Sequence, residues 1–119
     1  MEPGKAEGVG KNWHGHVTAL SVAPPYRRLK LAKKLMALLE EITETVHDGY
    51  FVDLFVRVSN EVAINMYKQL GYVVYRRVLL YYNGTEDGLD MRRAMKRDKN
   101  RESMVPFGRA VQPNELEYD

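Results

Sequence analysis

Arg27, Arg28 and Lys30 stand together in "VAPPYRRLKLAKKLM", directly after Pro24-Pro25 and at the opening of an apolar periodicity with helical spacing. A helix start leaves backbone N–H groups unpaired at the positive end of the helix dipole, and arginine adds paired donors suited to phosphate. Cations are otherwise unfavourable in a first helical turn, so three of them point to a bound anion; a solubilising basic turn is the plain alternative. His14 and His16 form an H-x-H pair on one face of a strand, and Thr18 follows on the same face. Such a pair invites a metal, but the chain has no cysteine and only His47 remains as a further histidine, so no metal is expected. Read on their residues alone, the tyrosines Tyr67, Tyr81 and Tyr82 suit packing, Tyr67 as a core tyrosine with a satisfied hydroxyl and the pair as strand aromatics against a helix. No Asp or Glu stands out as a catalytic base.

The elements that must position these groups can be read from periodicity. "WHGHVTALSVAP" has strand alternation, with Val17, Ala19 and Ser21 on one face and His16, Thr18, Leu20 and Val22 on the other, and the prolines break it. Leu31, Leu35, Leu38, Leu39, Ile42 and Val46 then recur as the inner stripe of a helix that is expected to stop near His47-Asp48-Gly49, with Gly49 in a left-handed turn. "YFVDLFVRV" reads as a strand covered on both faces, and strand, helix, strand implies a right-handed parallel crossover. "SNEVAINMYKQLGY" restarts a helix, capped by Ser59 or Asn60, lined inside by Val62, Ala63, Met66 and Leu70, and closed by Gly71. "VVYRRVLLYY" is a further strand, and Asn83-Gly84 marks an exposed turn. "LDMRRAMKRDK" is compatible with a strand, a helix, or a strand running into a helix. Residues 101–119 read as a tail, either mobile or docked on a partner.

Length and composition narrow the class. A chain of 119 residues with 45% hydrophobic and 29% charged residues suits one globular domain, and a formal charge of +2 leaves any positive field to local clustering. Zero cysteines exclude a disulfide framework and a thiol nucleophile. No signal peptide and no membrane span are expected, and a cytoplasmic location is compatible with this composition. The basic run "RRAMKRDKNR", Arg92 to Arg101, suggests nucleic-acid binding, but without a groove-reading motif or interleaved aromatics it reads as a solvated closing segment.

"HVTALSVAPPYRRLKLAKKLM", "FVDLFVRVSNEVAINMYKQLGY" and "VLLYY" resemble the GCN5-related N-acetyltransferase superfamily and, within it, the catalytic subunits of NatB amino-terminal acetyltransferases. The resemblance implies an α/β acyl-CoA N-acyltransferase fold, a mixed sheet with a central parallel strand pair flanked by helices, incomplete on its amino-terminal side. It divides the chain into a leader or hairpin remnant (1–12), an acetyltransferase core (13–100) and a carboxy-terminal tail (101–119). It implies acetyl-CoA as co-substrate, protein amino termini beginning Met-Asp, Met-Glu, Met-Asn or Met-Gln as acceptors, and a large helical-repeat auxiliary subunit at the ribosome as partner. The superfamily's pyrophosphate-wrapping pattern falls on Arg27, Arg28, Leu29, Lys30, Leu31 and Ala32, with Lys30 where the pattern has glycine. The strand around Leu20 and Val22 would bind the pantetheine through its backbone, and Asn60 and Asn65 would contact CoA. Tyr67 matches a proton donor to the departing thiolate, His16 a proton relay, and His16, Thr18, Tyr81 and Tyr82 the lining of the peptide site. A non-catalytic form that binds the auxiliary subunit is the alternative.

Overall fold

The computed structural model describes residues 4–17 and 26–116, with the backbone alone at 4–5 and 26–29. In chain order these form strand β1 (Gly4–Glu7), a 3-10 turn (Gly10–Asn12), strand β2 (His14–Val17), helix α1 (Tyr26–Thr45), strand β3 (Phe51–Arg57), helix α2 (Glu61–Gln69), and strands β4 (Val73–Tyr82) and β5 (Glu86–Ala94). Two short 3-10 turns, Glu102–Met104 and Pro113–Glu115, follow. One sheet runs β1-β2-β3-β5-β4, parallel between β2 and β3 and antiparallel elsewhere. This is the mixed sheet with a parallel pair that the sequence implies, and the segment left open there is the strand β5. Among the described residues no helix is long and apolar enough to cross a membrane.

Because side chains alternate along a strand, β3 sends Val52, Leu54 and Val56 to the helices and Phe51, Asp53 and Phe55 to the opposite face. The core forms where the first set meets Ala32 and Met36 of α1, Ala63, Met66 and Tyr67 of α2, and Met91 of β5.

Helix α1 lies on the sheet by a different stripe from the one its leucines suggest. Ala32, Met36 and Thr43 are buried, with Leu39 packed beside them, whereas Leu31 (58% exposed), Leu35, Leu38 (52%), Ile42 and Val46 face outward. The helix carries two neighbouring apolar rows, and the one with smaller side chains fits a close approach. Gly15 explains the closeness: a Cβ there would lie 2.2 Å from Thr43 Oγ1. Burial of Thr43 is tolerated because its hydroxyl donates to the Leu39 carbonyl at 2.8 Å.

The left-handed residue after α1 is Asp48 (φ 49°) rather than Gly49. Gly49 serves by its size, since a Cβ there would come within 2.7 Å of Thr43 Cγ2. In α2, Asn60 caps by accepting from the Ala63 N–H at 3.2 Å, and Gly71 (φ 98°) ends the turn as expected, but Val62 is exposed and Tyr67 takes its place inside. Residues 105–112 dock on the chain's own sheet: Leu79 N–H donates to the Val111 carbonyl (2.8 Å) and Val111 N–H to the Arg77 carbonyl (2.9 Å), covering the β4 edge.

The orientation of α1 gives a test by urea unfolding. Met36→Ala is expected to cost about 3 kcal/mol and Leu38→Ala under about 1 kcal/mol. The reverse order would put the leucine row against the sheet.

Candidate functional site

The sheet face away from the helices concentrates polar side chains around Asp53. The register sets Glu7 opposite His14 across β1–β2 and His16 opposite Asp53 across β2–β3, and alternation sends all four to this face. His16 Nδ1–H donates to Asp53 Oδ1 at 2.5 Å, and His14 Nε2 lies 3.4 Å from the same oxygen. The other ring nitrogen of His14 is bonded to the Asn12 carbonyl, and the ring stacks on Phe51 with centroids 4.4 Å apart. Further along the same face, Asp90 is enclosed by Arg76 (3.0 Å) and Arg92 (3.3 Å), and the Arg92 guanidinium lies 3.7 Å over the Tyr75 ring.

These contacts set the charges. Burial opposes ionisation of Asp53, but hydrogen bonds and charge from His14 and His16 overcome it and hold the carboxyl well below its ordinary value. Burial likewise pulls His14 down, yet Asp53, the Asn12 carbonyl and Glu7 raise it above 6.5. Asp90 goes the other way: burial first and the Asp53 charge second push it up to about 6, against the pull of Arg92 and Arg76.

A chain of ring contacts leads from this cluster to the tyrosines. His16 meets Phe55 edge-on at 5.5 Å, Phe55 meets Tyr81 at 4.7 Å, and Tyr81 meets Tyr82 at 5.1 Å. A bulge between Val78 and Tyr82 shifts the register, with Leu80 at φ 49°. Tyr67 is buried at the helix side, and its phenol is pushed up to about 12 by burial and by the neighbouring Tyr82. It therefore keeps its proton at neutral pH and suits donation rather than proton abstraction.

The sequence-predicted residues divide accordingly. His16, Tyr81 and Tyr82 are brought together through Phe55, a residue that sequence reasoning did not single out. Thr18, Leu20 and Val22 lie outside the described residues. Arg27, Arg28 and Leu29 occupy the first turn of α1, followed by exposed Lys30 and Leu31 and buried Ala32. Asn60 is the α2 cap, and Asn65 is exposed on the same helix. The basic run from Arg92 is not a free cationic strip, because Arg92 pairs with Asp90, Arg93 donates to Glu40 at 2.7 Å and Arg97 lies over Tyr50 at 4.4 Å. Glu7, Asp53, Asp90, Arg76 and Arg92 were missed. Asp53 alone left a signal, an acidic residue in the middle of an otherwise apolar strand.

A parallel strand pair crossed by a long helix, a second helix, and an antiparallel hairpin that completes the sheet define an N-acyltransferase type of domain. Residues 3–72 match the Acetyltransferase (GNAT) family, and the chain belongs to it. It is 61% identical over 116 residues to the N-terminal acetyltransferase B complex catalytic subunit NAA20 of Arabidopsis thaliana, covering 98% of this chain and 67% of the relative. Of solved structures, it is similar to Chaetomium thermophilum Naa20 in complex with a bisubstrate analogue, with a TM-score of 0.77 and 42% identity over 86% of this chain and 58% of the other. The NatB acetyltransferase complex bound to a bisubstrate inhibitor gives a TM-score of 0.77 and 38% identity over 96% of this chain and 67% of the other. The chain thus spans about two thirds or less of these proteins' length.

The buried cluster predicts a pH dependence. Folding raises Asp90 from 3.8 to about 6 and His14 above 6.5, so the folded chain holds protons that the unfolded chain has released. The resulting stabilisation is lost as pH rises, from about 4 to about 6 for Asp90 and from 6.5 upward for His14. Asp53 has the opposite sign, its contribution being complete above 3.8 and lost only in stronger acid. Thermal unfolding is expected at a higher temperature at pH 5 than at pH 8; a profile rising toward pH 8 would contradict these assignments.

Proposed function

We propose that the chain carries acetyl-CoA-dependent acetyl transfer to protein amino termini of the NatB type, those beginning Met-Asp, Met-Glu, Met-Asn or Met-Gln. The observation that carries this reading is the parallel pair β2–β3, with the chain leaving β2 toward a basic first turn of α1. In that arrangement Arg27, Arg28 and Lys30 hold the CoA pyrophosphate, helped by the unpaired N–H groups of the helix start. Lys30 sits inside α1 with helical backbone, so the position does not need the dihedral freedom of glycine and the ammonium adds a phosphate contact. The backbone around Leu20 and Val22 takes the pantetheine, and Asn60 and Asn65 line the cofactor beside α2.

The acceptor amine needs little help to lose its proton, because an α-amino group has a pKa of about 7.7 to 8.0. The neutral nitrogen attacks the acetyl carbon, the tetrahedral oxyanion is held by backbone N–H groups, and collapse expels the CoA thiolate. Tyr67 donates the proton that the thiolate takes up. With Nδ1–H held by Asp53, His16 has its lone pair on Nε2 and accepts the proton that the nitrogen sheds. Thr18, Tyr81 and Tyr82 line the peptide.

The similarity to a complex catalytic subunit, together with the exposed row Leu31, Leu35, Leu38, Ile42 and Val46, supports an auxiliary subunit of helical repeats as partner at the ribosome, and hence a cytoplasmic location. The same row favours a second reading, a form that docks on that subunit without turnover.

Isothermal titration with acetyl-CoA separates the two. Micromolar binding that is lost in Arg27→Ala, Arg28→Ala is expected for the enzyme; no binding by the folded chain leaves the docking form. Tyr67→Phe, which keeps the buried ring, is expected to lower kcat about 10²-fold with KM little changed. Unaltered turnover would remove Tyr67 from the proton-donor role.

A further inference from the structure

Among the described residues neither carboxylate oxygen of Glu7 has a hydrogen-bond partner, although the residue is 93% buried, being 7% exposed. Its Oε1 lies 3.7 Å from His16 Nδ1 and 3.8 Å from His14 Nε2, too far for hydrogen bonds. Asp53 Oδ1 completes the group at 3.4 Å from His14 Nε2. Because Nδ1 of His14 donates to the Asn12 carbonyl, the lone pair of the neutral ring is on Nε2 and is aimed between two carboxylates. Acceptor facing acceptor in a buried space calls for a positive charge between them, either a second proton on His14 or a metal ion. The backbone carbonyl on the far nitrogen is also the arrangement that fixes the tautomer of metal-bound histidines.

We propose that Glu7, His14 and His16, closed by Asp53, form a binding site for a divalent transition-metal ion of the zinc class. Bonds of about 2.0–2.2 Å from zinc to nitrogen and oxygen place two ligands of one ion about 3.4 Å apart in a tetrahedron and no more than about 4.2 Å apart. The separations of Glu7 from His16 (3.7 Å) and His14 (3.8 Å), and of Asp53 from His14 (3.4 Å), fall in that range; the group Glu7, His14 and His16 as a whole lies within 4.8 Å, so its members draw together on loading. The 2.5 Å hydrogen bond from His16 to Asp53 is too short for two ligands of one ion. Loading through His16 Nδ1 therefore moves that proton to Nε2, the ring changing tautomer, and the metal takes its place beside Asp53. Two imidazoles and two carboxylates suit zinc or cobalt better than calcium or magnesium, which prefer oxygen alone. A cavity of about 370 Å³, lined by Glu7, His14 and Asp53, gives the ion a way in.

The H-x-H pair was set aside as a metal site for want of further nitrogen or sulfur ligands. The missing ligands are oxygens supplied by the strands on either side, through a register that the sequence does not display. The ion would take His16 Nδ1 away from Asp53, so a loaded site and the His16–Asp53 proton relay exclude each other.

The test is calorimetric titration of the metal-free full chain with zinc chloride, beside the visible spectrum of its Co²⁺ complex. Expected are one ion per chain and the intense absorption of tetrahedral Co²⁺. Glu7→Gln, which keeps the side chain's size, is expected to weaken zinc at least tenfold, whereas His47→Ala leaves it unchanged. No binding, equal binding by Glu7→Gln, or a weak octahedral Co²⁺ spectrum would overturn the site and leave a protonated His14 as the cation. The spectrum is read on the unsubstituted chain, so the outcome does not depend on how the variants fold.

Discussion

Everything in this domain is hung on β3, a strand that must be covered on both faces. Its helix-side row, Val52, Leu54 and Val56, is buried to within 6% exposure and needs α1 and α2 above it. Its other row places a carboxylate, Asp53, between two phenylalanines. An ionised carboxylate in such a place is tolerated only with donors or cations at hand, and the two parallel and antiparallel neighbours provide them. β2 contributes His14 and His16, and β5 brings the Asp90, Arg92 pair at the same level through the pairing of Asp53 with Arg92. The order of the strands in the sheet is thus also the order of charges across it.

That arrangement explains why neighbouring carboxyls on one face differ so widely. Asp53 faces two imidazoles and stays charged deep into acid, whereas Asp90, more enclosed and repelled by Asp53, holds its proton up to about 6. Arg76 and Arg92 limit the rise, and the aromatic rings beneath Arg92 shield that pair from water. A charged lattice of this kind is costly to assemble and stiff once made, since removing one member strands the others.

Most of the fold was legible because it rests on local signals. The crossover through α1, the Asn60 cap, the Gly71 stop and the Asn83-Gly84 turn, where φ is 54° and 70°, all depend on residues close in sequence. The site was less legible because it depends on register. His16 and the tyrosines could be named by type, but Phe55, which joins them, looks like any core aromatic, and Glu7 looks like any charge in a glycine-rich start. The facing of α1 was misread for a related reason. Periodicity identifies an amphipathic helix but does not choose between adjacent rows, and the choice was made by Gly15 on another element, whose missing side chain admits Thr43.

The bulge in β4 shows how local strain is placed where it sets the site. Leu80 has a left-handed backbone, an unfavourable state for a side chain with a Cβ, at a cost of about 1 kcal/mol or more. Its N–H is fixed by the Asp87 carboxylate at 2.7 Å, and the same carboxylate accepts from Arg77 at 2.6 Å, so one acidic residue on β5 holds both sides of the distortion. From Val78 opposite Gly88 to Tyr82 opposite Glu86, four residues of β4 span two of β5, which interrupts the alternation that would send consecutive side chains to opposite faces. Tyr81 and Tyr82 therefore both lie over Gly88 with their rings 5.1 Å apart, Tyr81 against Phe55 and Tyr82 under the Arg57 guanidinium. The strained conformation of Leu80 is what lets two consecutive tyrosines share one face of the sheet.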